Sequence, residues 1–227
     1  MSRDDGPSPS TSERVRESLH DFWTTRNGPL MVLRELVVSV GTVAVIGILL
    51  FSLAGVWPPM VAVESGSMEP SMQKGDLVFI AEPGRYVPDE AATEGVVTLE
   101  SGRDVDYRSF GDYGSVVIYE RLSGGSPVIH RAHFYVEEGE NWYDEANPSY
   151  VSATQCGETV DEGLPNCPAP SAGFITKGDN NAQYDQVMGI AQRPVPRERI
   201  TGTAQVSVPY LGYVRLCLSG GEECLRD

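Results

Sequence analysis

From Leu36 to Val63 the chain carries no charged residue. Its core, "VVSVGTVAVIGILLFSLAGVW" from Val37 to Trp57, holds 21 residues, which as a helix crosses the ~30 Å hydrocarbon core of a bilayer. Gly41, Gly47 and Gly55 are tolerated in a membrane helix, and Trp57 before Pro58 and Pro59 marks an interface and a stop. A cleaved leader fits poorly, because the run is too long and about 35 mostly polar residues precede it. Arg3, Arg14, Arg16, Arg26 and Arg34 stand before the run, and the first positive residue after it is Lys74. The excess of basic residues on one side predicts a cytoplasmic N-terminus and an exposed remainder. The expected organisation is a cytoplasmic tail over 1–35, a transmembrane helix over 36–58, an outer domain over 59–215 and a C-terminal tail over 216–227. That tail is too short and too charged for a second span, so a single pass is expected.

The charge balance limits what the outer part can bind. There are 32 Asp and Glu against 17 Lys and Arg, a net charge of −15. Nucleic acid is excluded as a partner, because phosphate binding needs a basic face. Only Lys74 and Lys177 are lysines, and an acidic, lysine-poor surface suits hydration in high salt. Cys156, Cys167, Cys217 and Cys224 all follow the span, which suits disulfides in an oxidising space; of the three connectivities that four cysteines allow, the local pairs Cys156–Cys167 and Cys217–Cys224 are the expectation. Spacings of 11 and 7 do not match structural zinc, and no metal or cofactor is expected.

Beyond the span, strand-like segments recur at Asp76–Ala81, Val96–Leu99, Ser115–Tyr119, Val128–Val136, Gly173–Thr176 and Ile200–Val208. Gly, Pro, Ser and Asp fill the connections. No helical crossovers separate the strands, so a mainly β, coiled and partly closed sheet is expected. The stretches 82–95 and 137–172 read as acidic insertions, the second as an insertion or lid.

Three polar motifs stand out. "SGSMEP" sets Ser67 after a glycine and before Pro70, in a turn that can present its hydroxyl and amide. Alone, it reads as a polar turn. A serine needs a base to become a nucleophile. His20 precedes the span, which leaves His130 and His133 in "SPVIHRAHFYV". A strand of period two puts these on opposite faces, so only one can serve a given site, and His133 reads as an ordinary histidine. "GFITKGDNNAQYDQ" offers Asp179, explicable as a turn-former, and Asp185, less so. A carboxylate beside an imidazole fixes its tautomer and stabilises its cation.

Together, "SGSMEP…KGDLV", "VIHRAHFYV" and "ITKGDNN…D", in this order after one span, resemble signal peptidase I, in its archaeal and endoplasmic-reticulum branch. The bacterial branch has a lysine where this chain has His130. The resemblance covers roughly Val37 to Asp185, with "VPYLGYV" near the end. It implies the β fold shared with self-cleaving repressors and a serine endopeptidase that removes signal peptides from exported preproteins after small residues. Ser67 would be the nucleophile, His130 the general base and Asp185 its orienter, with Asp179 supporting the site or sharing that role. The Ser67 N–H and the Ser65 hydroxyl would form the oxyanion hole, with Met68 on the substrate side. Signal peptides, the bilayer and the translocation machinery would be its partners. With the lysine-poor composition, the resemblance implies a halophilic archaeal source and a cell-membrane location. The greasy residues Met68, Met72 and Leu77–Ile80 suit either the membrane interface or a core. The rival readings are a repressor-type peptidase, an anchored β-domain without catalysis and an accessory subunit.

Overall fold

The computed structural model describes Arg16, His20, Trp23 and residues 28–157 and 163–218. The chain divides into two units, 1–52 and 53–227. In the first, helix α1 spans Pro29–Ala54. Its stretch Met31–Ala54 has a mean hydropathy of 2.6 and is long and apolar enough to cross a membrane, at ~36 Å for 24 residues. The helix begins earlier and ends earlier than the expected Val37–Trp57. Pro29 has no N–H to lose at a helix start, and Gly55, at φ 71°, supplies the left-handed stop. The pair Cys217–Cys224 and most of the N-terminal tail involve residues outside those described.

The second unit is built on a six-stranded sheet in the order β1-β2-β10-β7-β8-β9, with every neighbouring pair antiparallel. The strands are β1 Met60–Ala62, β2 Leu77–Ala81, β7 Val116–Tyr119, β8 Val128–Val136, β9 Gly173–Lys177 and β10 Ile200–Val208. Two small hairpins pair β3 Ala92–Thr93 with β4 Val96–Val97, and β5 Arg108–Ser109 with β6 Asp112–Tyr113. Register breaks in β8 and β10 bend the sheet. Strand β7 shows why its sequence is an unbroken apolar run. Val116 and Ile118 enter one core with Met68, Met72, Val78 and Ile80, while Val117 and Tyr119 enter another with Val128, Ala132 and Phe174. Met68 and Met72, each 1% exposed, are therefore core residues.

One expectation is corrected. Val96–Leu99 is not one strand: Thr98 caps helix α2, Leu99–Asp104, by exchanging hydrogen bonds with Ser101. The segment expected as an insertion or lid over 137–172 is well packed in its described residues. Its Trp142, Leu164 and Cys167 are buried with Phe134, Val136, Ile175 and Tyr184 in a third core, so it packs onto the sheet. Cys156 and Cys167 form a disulfide within it, with Cα atoms 4.8 Å apart. Two further short helices, α3 Asp185–Met188 and α4 Gly212–Leu218, complete the unit.

Candidate active site

Ser67 lies in a turn closed by the Glu69 N–H donating to the Gly66 carbonyl at 3.2 Å. The turn is fastened from the far end of the sheet. After β9, the Asn180 N–H donates to the Ser67 carbonyl at 2.9 Å, and the Asn180 side-chain amide to the Gly66 carbonyl at 3.1 Å. At position 178, directly after β9, only glycine fits. A Cβ on Gly178 would stand 2.6 Å from the Ser67 carbonyl oxygen and 2.9 Å from His130 Nε2. By contrast, a Cβ on Gly66 would meet only the tip of the Glu69 side chain.

Strand β8 carries His130, 3% exposed. Its Nε2 is 2.9 Å from Ser67 Oγ, and its Nδ1 is 2.7 Å from Asp185 Oδ2. Asp185 opens α3 and is fully buried. The same Oδ2 accepts from Tyr119 Oη at 2.9 Å and Thr176 Oγ1 at 2.6 Å. Burial, then the Asp185 carboxylate, push the Tyr119 hydroxyl far above its ordinary range, so it stays protonated and donates. Asp185 Oδ1 is buried without a hydrogen-bond partner among the described residues. An anion solvated on one side only attracts a neighbouring imidazolium strongly. An Nδ1–H pointing at Asp185 leaves the Nε2 lone pair facing the Ser67 hydroxyl.

Asp179 does not touch His130. It takes a two-pronged bond from Arg131, Nε to Oδ1 at 2.9 Å and a terminal nitrogen to Oδ2 at 2.7 Å, and a third from the Ser71 hydroxyl at 2.6 Å. Burial pushes the Asp179 carboxyl up, but the Arg131 guanidinium and Ser71 outweigh it and hold it below its ordinary value. Arg131, wholly buried, also donates to the carbonyls of Ser109, Tyr113 and Gly114. This brace ties the Ser67 turn, β8 and the β5–β6 hairpin together.

Ser65 is exposed, with its hydroxyl 3.2 Å from that of Ser67. The Ser67 N–H donates no backbone hydrogen bond among the described residues. Met68 points inward, and its Sδ lies 3.5 Å from the Asp179 N–H. His133 lies on the opposite side of β8 from His130, edge-on to Tyr150 and Tyr184. A groove of about 680 Å³ opens over Ser67 and His130, floored by Val61, Val63, Ile80 and Ile129. Among the described residues no cluster of His, Cys, Asp or Glu could hold a metal ion.

Sequence reasoning missed Tyr119, Thr176, Gly178 and Arg131. Thr176 and Gly178 lie inside the "ITKGDNN" motif and Arg131 beside His130, so adjacency to the motifs was the available signal. Tyr119 sits in an apolar run with nothing to mark it.

No family model matches the chain. Similarity to curated proteins is clear. The chain is 31% identical over 163 residues to the signal peptidase complex catalytic subunit SEC11 of Paracoccidioides brasiliensis, covering 71% of this chain and 66% of that protein. The like-named protein of Emericella nidulans is 29% identical over 163 residues, with 71% and 66% covered. That of Pyricularia oryzae is 28% identical over 162 residues, with 71% and 64% covered. The aligned region thus spans slightly less than two thirds of these relatives' own length. Over the aligned region the chain is similar to the catalytic subunits of signal peptidase complexes.

Proposed function

We propose that this chain is a membrane-anchored serine endopeptidase that removes signal peptides from preproteins, cutting after small residues. The observation that carries the reading is the line Ser67–His130–Asp185, with gaps of 2.9 and 2.7 Å. Ser67 Oγ attacks the scissile carbonyl carbon as His130 Nε2 takes its proton. The tetrahedral oxyanion is met by the Ser67 N–H and the Ser65 hydroxyl, at about 3 kcal/mol per donor. Asp185 stabilises the imidazolium, which passes its proton to the leaving amine nitrogen. A water then loses a proton to His130 and attacks the acyl carbon, and Ser67 is released with its proton restored. Asp179 serves as the brace and takes no part in proton transfer.

Strand β1 is an edge of the sheet and borders the groove, so an extended peptide would bind by strand addition beside it. The apolar groove floor suits the small side chains that precede the cut. The basic residues before the span support a cytoplasmic N-terminus and a domain outside the cell membrane, where preproteins leave the translocation machinery. The acidic, lysine-poor composition supports a surface suited to high salt, as in a halophilic archaeon.

The test is cleavage of an Ala-x-Ala preprotein by the full chain in lipid at high salt, beside Ser67→Ala and His130→Ala. Cleavage after the small residue, lost in both variants, supports the reading. Equal inactivity of folded wild type and Ser67→Ala would favour an anchored β-domain or an accessory subunit.

A further inference from the structure

On the other side of the Arg131–Asp179 brace lies a second cavity of about 920 Å³. It is bounded by β8, the end of β9, α2 and the packed segment 137–172. A volume in this range accommodates a small-molecule ligand. Two largely buried side chains line it, one a cation with no carboxylate beside it and the other an imidazole with no hydrogen bond among the described residues. Lys177 is 4% exposed, and its ammonium donates to the Gly178 carbonyl at 2.9 Å and, more weakly, the Asp179 carbonyl at 3.4 Å. The Tyr150 ring lies 4.5 Å from Nζ. No carboxylate comes within 4 Å of it among the described residues, and Asp179, the acid whose charge acts on it most, is already held by Arg131 and Ser71. Buried charges are normally paired. His133 is 8% exposed, and neither ring nitrogen makes a hydrogen bond among the described residues. Burial, then the charges of Lys177 and Arg131, drive its pKa down to about 3, so at neutral pH it offers one N–H donor and one acceptor.

We propose that this cavity binds a monovalent anion of carboxylate or halide size, held by the Lys177 ammonium and the His133 N–H. The remaining charges set the selectivity. Glu100, Glu145 and Asp112 line the same cavity with Arg103, and burial, then Glu140 and Glu100, raise Glu145, as crowded carboxylates do. These acids repel a dianion more than a monoanion. The anion would rest beside the carbonyls of Gly178 and Asp179, in the segment that fastens the Ser67 turn. The proposal stands apart from the peptidase reading, because its readout needs no cleavage.

The experiment titrates the full chain in detergent micelles at about pH 8, where phosphate is mostly the dianion, labelled with ¹⁵N-histidine, with sodium acetate, chloride or phosphate. A bulky sulfonate holds the ionic strength constant. The His133 ring signals are assigned by their loss in His133→Gln. Acetate or chloride should move them saturably, and whichever moves them identifies the anion as carboxylate or halide. Phosphate should bind at least about tenfold more weakly, and Lys177→Met should weaken the monoanion by at least about tenfold, or ~1.4 kcal/mol. Should Lys177→Met not fold, Glu100→Gln with Glu145→Gln gives the second readout, a narrowed gap between monoanion and phosphate. Signals unmoved by all three anions would overturn the proposal, as would phosphate binding equal to or tighter than the monoanions. So would undiminished binding in folded Lys177→Met, or a phosphate gap unchanged in the rim variant.

Discussion

Asp185 Oδ2 lies 2.7 Å from His130 Nδ1 while also accepting from Tyr119 and Thr176, so three donors from three strands converge on one buried oxygen. Asp185→Asn keeps the shape but presents an amide that can donate to Nδ1 and favours the wrong tautomer. The cleavage rate should fall by about 10³–10⁴-fold with little change in KM. Single-turnover kinetics on a preprotein check this, and a loss below about tenfold would remove Asp185 as the orienter of His130.

Asp179→Asn should act on stability before chemistry. It leaves the wholly buried Arg131 short of its counter-charge, a change that costs about 3–5 kcal/mol for buried pairs. Denaturant unfolding of the β-sheet unit measures it. Because the folded carboxyl lies below its ordinary 3.8, its stabilisation is present above about pH 4 and is lost as pH falls through the folded value.

His133 produces a second acid sensitivity at higher pH. Its folded pKa, about 3, lies below the ordinary 6.5, so between these values the unfolded chain binds more protons than the folded one. Stability should decline as pH falls from about 6.5 towards 3. In His133→Leu that portion of the slope should vanish while the Asp179 portion below pH 4 remains. Thermal melts across pH 3–7 compare the two.

Gly178→Ala should abolish cleavage while the sheet persists. The added methyl would stand inside van der Waals distance of both the Ser67 carbonyl and the His130 ring, and neither can retreat from its strand or turn without breaking the Ser67–His130 gap. A fall in rate of at least about 10²-fold with an unchanged circular dichroism spectrum is expected.

Breaking the disulfide in Cys156→Ser should cost about 2–3 kcal/mol, because an open loop of this length regains its entropy on unfolding. Hydrogen exchange should quicken in segment 137–172 first, where Trp142 and Leu164 depend on it for position. The Ser67–His130 geometry should persist.

Local chemistry determined much of this protein. An uncharged run of spanning length produces α1, and β-rich segments bounded by turn residues produce β8 and β10 at the limits read from the sequence. Scarcity singled out His130, since one histidine precedes the span and another faces away from Ser67 on the same strand. What the sequence left open was decided by contacts across 48 to 108 residues. Turn chemistry explains Asp179 more easily than Asp185, but it does not say which of them meets His130. The fold does, because Arg131 on β8 and Ser71 after the turn claim the first, while His130 reaches the second. Segment 137–172 reads as an insertion or lid because its Gly, Pro and Asp resemble a loop, and only packing against Phe134, Ile175 and Tyr184 brings its Trp142 and Leu164 into a core. Periodicity is a property of neighbours along the chain, whereas the pairing of a buried charge depends on which strands the sheet sets side by side.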